Sequence, residues 1–124
     1  MVKKAINLPS ASKLPYSPAM RAGDYIFVSG QTGYKDWTGN EVKGIEAQTR
    51  QCLENMNLVL KATGSSLDDV VKITVFLSDA GDFTKMNGVY EGYFPKNPPA
   101  RSTIQAGMVI PGMLIEIDCI AYNA

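Results

Sequence analysis

The chain has no histidine among its 124 residues. Histidine is the side chain whose ordinary pKa lies nearest to neutral pH, so its absence excludes Ser-His and Cys-His nucleophile pairs, histidine metal clusters and a histidine general base. Any chemistry must therefore use arginine, lysine, carboxyl, hydroxyl or thiol groups, the backbone or water.

Cysteine is scarce: Cys52 and Cys119 lie far apart in sequence, each in an apolar stretch. They have neither the spacing of a zinc site nor the density of a secreted disulfide scaffold. We therefore expect two buried small hydrophobic residues and no metal, in a reducing, cytoplasmic compartment.

Net charge and long apolar runs are missing as well. Twelve basic residues balance twelve acidic ones, so no overall field attracts nucleic acid or an anionic membrane. No stretch is long enough to span a bilayer, and Met1–Ser12 lacks the apolar core of a signal peptide. Nucleic acid and membrane are therefore disfavoured as partners.

The composition that is present, 45% hydrophobic and 19% charged, is typical of a globular protein. The length fits one domain, residues 1–124, without internal repeats. Ala19–Ala22 and Tyr25–Ser29 flank a Gly-Asp turn and predict a hairpin, and the glycine-rich Gly30–Gly44 predicts a loop. Apolar residues at helical spacing predict a helix from Ile45 that stops at Gly64.

The second half of the chain predicts three strands and a helix. Val70–Leu77 is apolar on both faces and predicts an interior strand. One face would carry Val71, Ile73, Val75 and Leu77, and the other Val70, Thr74 and Phe76. Asp82 is placed to cap a helix that ends before Pro95. Its apolar stripe is Phe83, Met86, Tyr90, Tyr93 and Phe94. Ala100–Ala106 and Met113–Tyr122 predict the last strands.

This order of elements indicates an α+β fold, with two helices on a mixed sheet of about five or six strands. Two helices can cover only one face of such a sheet, yet several strands carry apolar residues on both faces. We expect self-association into a closed homo-oligomer to cover the second face.

Among the three arginines, Arg101 has the most distinctive setting. Arg21, beside the predicted turn, and Arg50, on the polar side of the first helix, are interpreted as solvated surface charges. Arg101 follows two rigid prolines and opens a strand, where its planar fork could bind a carboxylate. The alternative, which spacing alone favours, is a structural ion pair between Arg101 and Glu116.

Two carboxylates and two hydroxyls are further candidates. Glu116 and Asp118 are two residues apart in a strand, so both point to one face, as in an acid/base pair, although Asp118 could equally lie at an exposed edge. Ser29 and Tyr16 could orient a ligand, whereas such residues usually serve turns and packing. One carboxylate near Arg101 is the preferred interpretation.

Several motifs together resemble the RidA (reactive intermediate deaminase, YjgF) family. The most specific is Pro99-Ala100-Arg101-Ser102-Thr103-Ile104, followed by Gly107 and Ile115-Glu116-Ile117. Other matching landmarks are Tyr16-Ser17, Ala22-Gly23-Asp24, Phe27-Val28-Ser29-Gly30-Gln31, Gln48, Asn55, and Asn87 with Tyr90 and Phe94. The similarity extends over nearly the whole chain.

The resemblance implies a chorismate-mutase-like α+β fold, assembled as a homotrimer around a central barrel with ligand clefts between subunits. Deaminases of this family hydrolyse reactive 2-imino acids and their enamine tautomers to 2-oxo acids and ammonia, without a cofactor. By position, Arg101 would bind the substrate carboxylate and Glu116 would hold the attacking water. Tyr16, Ser29, Asn87 and Thr103 would shape the substrate-binding pocket.

Two segments depart from the family pattern, and both lie near the expected cleft. Leu14-Pro15-Tyr16-Ser17-Pro18 lacks the usual Gly and Gln around its Pro and Ser, and Gln31–Trp37 lacks a common proline. They leave the preferred substrate size open. Trp37 is either a lid or, as we expect, a packed surface aromatic.

Three functions are weighed for the chain. The first is the imine hydrolase that the resemblance favours. The second is a non-catalytic module that binds small 2-oxo acids and uses Glu116 only structurally. The third is an endoribonuclease or translation inhibitor, which ranks lowest because the chain has no histidine and no net positive charge.

Overall fold

The computed structural model describes residues 2–8 and 13–124, which form six strands of one sheet and two helices. The strands are β1 (Lys4–Ile6), β2 (Ala19–Ala22), β3 (Tyr25–Thr32), β4 (Val70–Leu77), β5 (Ala100–Gln105) and β6 (Ile115–Tyr122), and the helices are α1 (Ile45–Ala62) and α2 (Phe83–Tyr93). Met1 and residues 9–12 lie outside the described residues, so Met1–Ser12, expected not to be a signal peptide, is described only in part.

The sheet is mixed, as expected. Its spatial order is β1-β2-β3-β6-β4-β5, and all neighbours are antiparallel except β4 and β5, which are parallel. The connection between β4 and β5 contains α2, since parallel neighbours need a crossover. The last strand of the chain, β6, therefore lies in the middle of the sheet.

Both helices lie on one face of the sheet. Helix α1 packs on β3 and β6 and against α2. Its apolar stripe, including Cys52, Leu53 and Met56, is fully buried against alternate strand residues such as Ile73 and Ile117. Both cysteines are free and buried, as expected. No helix of the described residues is long and apolar enough to cross a membrane.

The opposite face, here called the open face, has no helix on it. It carries apolar side chains nonetheless: Phe27 and Tyr25 of β3 and Tyr122 of β6 are each close to half exposed. The rings of Tyr25 and Tyr122 meet edge to face, with centroids 5.2 Å apart. The prediction of apolar residues on both faces with only one face covered is confirmed.

The strands differ from the predictions in three places. The three-residue, mostly exposed β1 was missed because it has no apolar periodicity. Strand β3 continues through Thr32, where a loop was predicted, after a bulge between Val28 and Gln31. In β4, a register shift between Val70 and Lys72 buries Val70 and exposes Val71, which reverses the faces predicted for those two residues.

Two polar residues also differ from expectation. Asp82 precedes α2, but its side chain makes no capping hydrogen bond. Asp79 instead caps the short turn before it by accepting from the backbone N–H of Gly81 at 2.8 Å. Arg21 is not a solvated charge, because its half-buried guanidinium donates to the carbonyl oxygens of Gly23, Asn123 and Thr63.

Gln48 connects α1 to two loops at the edge of the core. It is 2% exposed, and its Nε2 donates to the carbonyl oxygens of Val42 and Gly112, each at 2.9 Å. Its Oε1 accepts from the backbone N–H of Leu114 at 2.9 Å. Because Leu114 directly precedes β6, Gln48 fixes the point at which that strand begins.

Replacing Gln48 by alanine should destabilise the protein strongly. Two carbonyl oxygens and one N–H would lose their partner in a buried place, and each orphaned group costs about 1–3 kcal/mol. We expect Gln48→Ala to lower the free energy of unfolding by about 3 kcal/mol in urea titration. Arg50→Ala, at an exposed position of the same helix, should change it by less than about 0.5 kcal/mol. Equal effects would contradict this role of Gln48.

Candidate functional site

Arg101 lies on the edge strand β5, two residues after Pro99. Its register partner on β4 is Ile73, so its side chain lies on the helix-covered face, next to α2. The guanidinium carbon is 4.7 Å from the ring centroid of Tyr90 and 5.7 Å from that of Phe83. Two aromatic rings therefore support the planar fork by cation–π contact. Within the described residues, no carboxylate forms an ion pair with it.

The side chains around Arg101 include polar atoms without partners. Phe83, Asn87 and Tyr90 follow each other at i, i+4 and i+7, so they share one side of α2. Asn87 Oδ1 and Thr103 Oγ1 are buried and make no hydrogen bond, whereas the buried Tyr90 OH lies within reach of the Arg101 guanidinium. Burying a polar atom unpaired is costly, and such atoms in native proteins usually meet a ligand, water or another chain.

These five residues, Phe83, Asn87, Tyr90, Arg101 and Thr103, are called the Arg101 group below. It contains three of the predicted site residues: Arg101, Asn87 and Thr103. Tyr90 was interpreted as part of the apolar stripe of its helix and as a landmark of the family, but not as a site residue. Its position three residues after Asn87 on the same helix face was the signal that could have included it. Burial raises the pKa of Tyr90, and the charge of Arg101 opposes the rise.

Glu116 lies on the open face, beside the bulge of β3. It is the register partner of Phe76 on β4 and of Thr32 on β3. A Cβ atom on Gly30 would collide with Glu116 Oε2, so the carboxylate lies directly over the glycine backbone. A side chain at position 30 would therefore displace the Glu116 carboxylate from its present position.

Ser29 and Tyr16 lie on the same side of the molecule as Glu116. Ser29 Oγ donates to the carbonyl oxygen of Ser17 at 2.6 Å, and its backbone N–H donates to that of Pro18 at 3.0 Å. Ser29 therefore holds the segment that carries Tyr16, whose side chain is 56% exposed. Tyr16, Ser29, Gly30, Glu116 and Asp118 are called the Glu116 group.

The charge of one carboxylate of this group affects the pKa of the other. Asp118 lies on the same face as Glu116, as predicted, but in the interior strand β6 rather than at an exposed edge. Burial raises the pKa of Glu116, and the nearby charge of Asp118 raises it further. Burial also raises the pKa of Asp118, whereas hydrogen bonds from Thr74 and the positive charge of Lys72 lower it.

One copy of the chain does not bring the two groups together. Arg101 and Glu116 lie on opposite faces of the sheet, aligned with Ile73 and Phe76 of β4 respectively. Their strands are separated by β4, which places the backbones about 10 Å apart across the sheet. The alternative of a structural Arg101–Glu116 ion pair within the chain is therefore wrong.

Two cavities border the Glu116 group. One, of about 460 Å³, includes Tyr16, Gly30, Trp37 and Ile110 in its lining. Another, of about 280 Å³, is lined by Tyr16 and Ser29 and reaches Phe27 on the open face. Trp37 is 65% exposed, which agrees with the surface position expected for this aromatic, and its indole N–H donates to Asn55 Oδ1.

A further cavity, of about 520 Å³, lies beside Gln48 and contains none of the predicted site residues. Across residues 2–8 and 13–124, no cluster of three carboxylate or cysteine side chains could hold a metal ion. Burial raises the pKa of the Cys52 thiol strongly and that of Cys119 to about 12. Both thiols are therefore protonated at neutral pH and are poor nucleophiles.

Comparisons with known proteins agree on one family. The family model described as Endoribonuclease L-PSP matches residues 6–123. A RutC family protein of Pyrococcus horikoshii is 49% identical over 110 residues, which cover 88% of this chain and 87% of the relative. The chloroplastic Reactive Intermediate Deaminase A of Arabidopsis thaliana is 44% identical over 108 residues, covering 86% of this chain and 58% of that protein.

Solved structures agree with the sequence comparisons. The structure of the YjgF gene product of E. coli superposes with a TM-score of 0.89 at 33% sequence identity. The match covers 98% of this chain and 99% of the other. The α+β sheet with two helices described above is therefore the fold of that protein as well.

The coupling between the two carboxylates can be measured directly. Because the Asp118 charge helps to raise the pKa of Glu116, Asp118→Asn should lower it toward its ordinary value. The side-chain carboxyl ¹³C shift of Glu116, followed against pH by NMR, measures this pKa. Asp68→Asn, at an exposed position, should leave it unchanged. An unaltered titration in Asp118→Asn would show that the two charges do not interact.

Proposed function

Because the chain belongs to the RidA/YjgF family, which the Endoribonuclease L-PSP model describes, we propose that it hydrolyses reactive 2-imino acids, and their enamine tautomers, to 2-oxo acids and ammonia. Among the comparisons, the name of the Arabidopsis relative supports deamination. The substrate and the roles of the residues below are part of this proposal.

The Arg101 group is the observation that carries the proposal. It combines a guanidinium fork, which pairs with no carboxylate of the described residues, with two buried polar atoms that have no partner, on Asn87 and Thr103. A 2-imino acid offers a carboxylate for the fork, in a bidentate geometry, and polar atoms for its neighbours. An anionic, planar small molecule therefore fits this place better than an apolar one.

The open face supports assembly into a homotrimer. Apolar residues of β3 and β6, with half-buried Glu116 and Asp118 among them, lack a covering layer within one chain. Three copies packed through these faces around a central barrel would cover them. In this arrangement the edge strand β5 of one copy approaches the Glu116 group of the partner subunit. Each interface between two subunits, here called a seam, then holds one complete cleft.

The proposed reaction needs only the two groups and water. Arg101 and its neighbours hold the substrate carboxylate, which places the imine carbon near Glu116 of the partner subunit. Glu116 accepts a proton from water as the water oxygen bonds to the imine carbon, giving a carbinolamine. Glu116 then returns the proton to nitrogen. As the C–N bond breaks, the hydroxyl oxygen becomes the carbonyl of the 2-oxo acid and its proton passes to Glu116, which transfers it to the departing ammonia and is again ionised. A raised carboxyl pKa suits such a transfer in both directions.

No cofactor takes part in this proposal, since a protonated imine is already electrophilic. The cytoplasmic location is also part of it, and the two free, buried cysteines are compatible with a reducing compartment. Pyridoxal-phosphate dehydratases acting on threonine or serine would supply such imines.

The carboxylate clamp can be tested by substitution. Arg101→Ala removes both hydrogen bonds of a bidentate, charge-assisted pair, and Arg101→Lys cannot reproduce the geometry. We expect each to lower kcat/KM for 2-iminobutanoate by about 100-fold or more. Ammonia release measured with a threonine dehydratase as the imine source provides the rate.

Arg50→Ala is the matched control, since Arg50 is exposed and outside both groups, and it should retain full activity. Circular dichroism and native mass should match the unsubstituted protein in all three variants. Undiminished ammonia release by Arg101→Ala would contradict the clamp. Tight binding of 2-oxobutanoate by the unsubstituted protein, without turnover, would favour the non-catalytic binding module instead.

The shared cleft predicts complementation between two inactive variants. Arg101→Ala removes the guanidinium that one subunit contributes to each cleft. Glu116→Gln removes the carboxylate that the partner subunit contributes. When equal amounts are unfolded together and refolded, about a quarter of the clefts should combine an intact Arg101 group with an intact Glu116 group by random assortment. Ammonia release should recover to about that fraction of the unsubstituted rate.

The same two proteins mixed without unfolding provide the control and should stay inactive if subunits do not exchange. No recovery after refolding, with native mass showing mixed oligomers, would contradict a cleft built from two copies.

A second candidate is RNA cleavage, because the matching family model is described as an endoribonuclease. The absence of histidine and the zero net charge weigh against it. Strongly salt-dependent RNA binding, with cleavage by the homogeneous protein, would favour this function over imine hydrolysis.

A further inference from the structure

The cavity of about 460 Å³ beside the Glu116 group, here called the Trp37 cavity, has a distinctive lining. Its lining includes a wall of the large apolar side chains of Leu14, Trp37, Leu58 and Ile110, together with Tyr16 and Gly30 and the uncharged polar residues Gln31, Thr32 and Asn55. All four wall side chains are at least 39% exposed, so they present apolar surface to the cavity rather than to the core. Within the described residues no charged side chain lines it.

Trp37 is held in position at this wall. Its indole N–H donates to Asn55 Oδ1, which also accepts from Gln51 Nε2 at 2.9 Å. Asn55 Nδ2 in turn donates to the carbonyl oxygen of Thr32 at 2.9 Å. An exposed aromatic ring is thereby fixed to α1 and to the end of β3, so the cavity has a defined wall before any ligand arrives.

The other cavities do not offer the same environment. The cavity of about 520 Å³ beside Gln48 includes Lys35, Glu41 and Lys43 and none of the predicted site residues. The cavity of about 280 Å³ reaches Phe27 on the open face, which the proposed trimer covers. Of these three cavities, the Trp37 cavity is the one that includes Gly30, beside which the Glu116 carboxylate lies, together with a wall of uncharged side chains.

We propose that the Trp37 cavity is the side-chain subsite of the cleft and selects imino acids with a branched or aromatic apolar side chain. This inference rests on the proposed function. A substrate whose imine carbon lies near Glu116 would direct its side chain over Gly30 toward Trp37, Leu58 and Ile110. Alternatively, a partner subunit fills the cavity, and the experiments below separate the two occupants.

The size of the cavity supports a large side chain. Its volume of about 460 Å³ equals the share of roughly fifteen water molecules at about 30 Å³ each. A methyl or ethyl group leaves most of it without contact, whereas an isobutyl or benzyl group reaches the ring of Trp37. A single methylene in an apolar pocket changes specificity about tenfold or more.

Selectivity measured on paired substrates tests the inference. An amino-acid oxidase generates the imines of alanine and leucine, and trapping with semicarbazide reports how fast each disappears. We expect the unsubstituted protein to prefer the leucine imine at least about tenfold in kcat/KM. Trp37→Ala should reduce that preference about tenfold, and Trp37→Phe should retain most of it because a ring still lines the wall.

Neighbouring positions on one loop provide a matched pair of variants. Ile110 lines the cavity, whereas Val109 is 86% exposed and does not. Ile110→Ala should reduce the preference for the leucine imine, and Val109→Ala should leave it unchanged. Preference unaffected by Trp37→Ala and Ile110→Ala would overturn the subsite, even though both imines are hydrolysed. If neither imine is hydrolysed by the unsubstituted protein, the proposed function fails instead.

Binding can be followed without turnover, because Trp37 is the only tryptophan of the chain. The stable product analogues 4-methyl-2-oxopentanoate and pyruvate serve as probes of indole fluorescence. We expect the first to change the emission of Trp37 and to bind at least about tenfold more tightly than pyruvate. Equal affinities with no change in emission would overturn the inference. So would loss of the oligomer in Trp37→Ala by native mass spectrometry, since the cavity would then be a subunit contact.

Discussion

The covering of the sheet by helices on one face only is the constraint on which the rest of the structure depends. Strand residues alternate between faces, so Ile73, Cys119 and Ile117 are buried under α1 and α2 while their neighbours lie on the open face. This alternation separates Arg101 from Glu116 and leaves Phe27 and Tyr122 half exposed. The proposed homotrimer would both cover this apolar surface and bring the Arg101 group of one copy to the Glu116 group of another.

Most of the fold could be predicted because its signals are local. The ends of α1, at Ile45 and just before Gly64, and the bounds of β4 follow from apolar periodicity and turn residues. The missed features depend on tertiary partners: β1 gains its backbone hydrogen bonds from β2, and the bulge of β3 arises opposite β6. Arg21 has a structural role because its guanidinium donates to the carbonyl oxygens of Thr63 and Asn123 as well as to that of nearby Gly23, and the first two are too far away in sequence to be predicted as partners.

The candidate site was predictable in composition but not in arrangement. Family resemblance selected Arg101, Glu116, Tyr16, Ser29, Asn87 and Thr103. It gave no reason to expect that Arg101 rests on the rings of Tyr90 and Phe83, or that Ser29 uses its hydroxyl to hold the Tyr16 segment. Trp37 lies at the surface as expected, but its hydrogen bond to Asn55 could not be predicted, because a side-chain pair 18 residues apart cannot be recognised from spacing.

The central claim is that one cleft is built from the Arg101 group of one copy and the Glu116 group of another. A crystal structure of the protein with 2-oxobutanoate bound tests it most directly. The account predicts the ligand carboxylate on the Arg101 fork, with its carbonyl carbon facing Glu116 of the partner subunit across the seam. A ligand enclosed by residues of a single copy, with the Arg101 fork unoccupied, would contradict it.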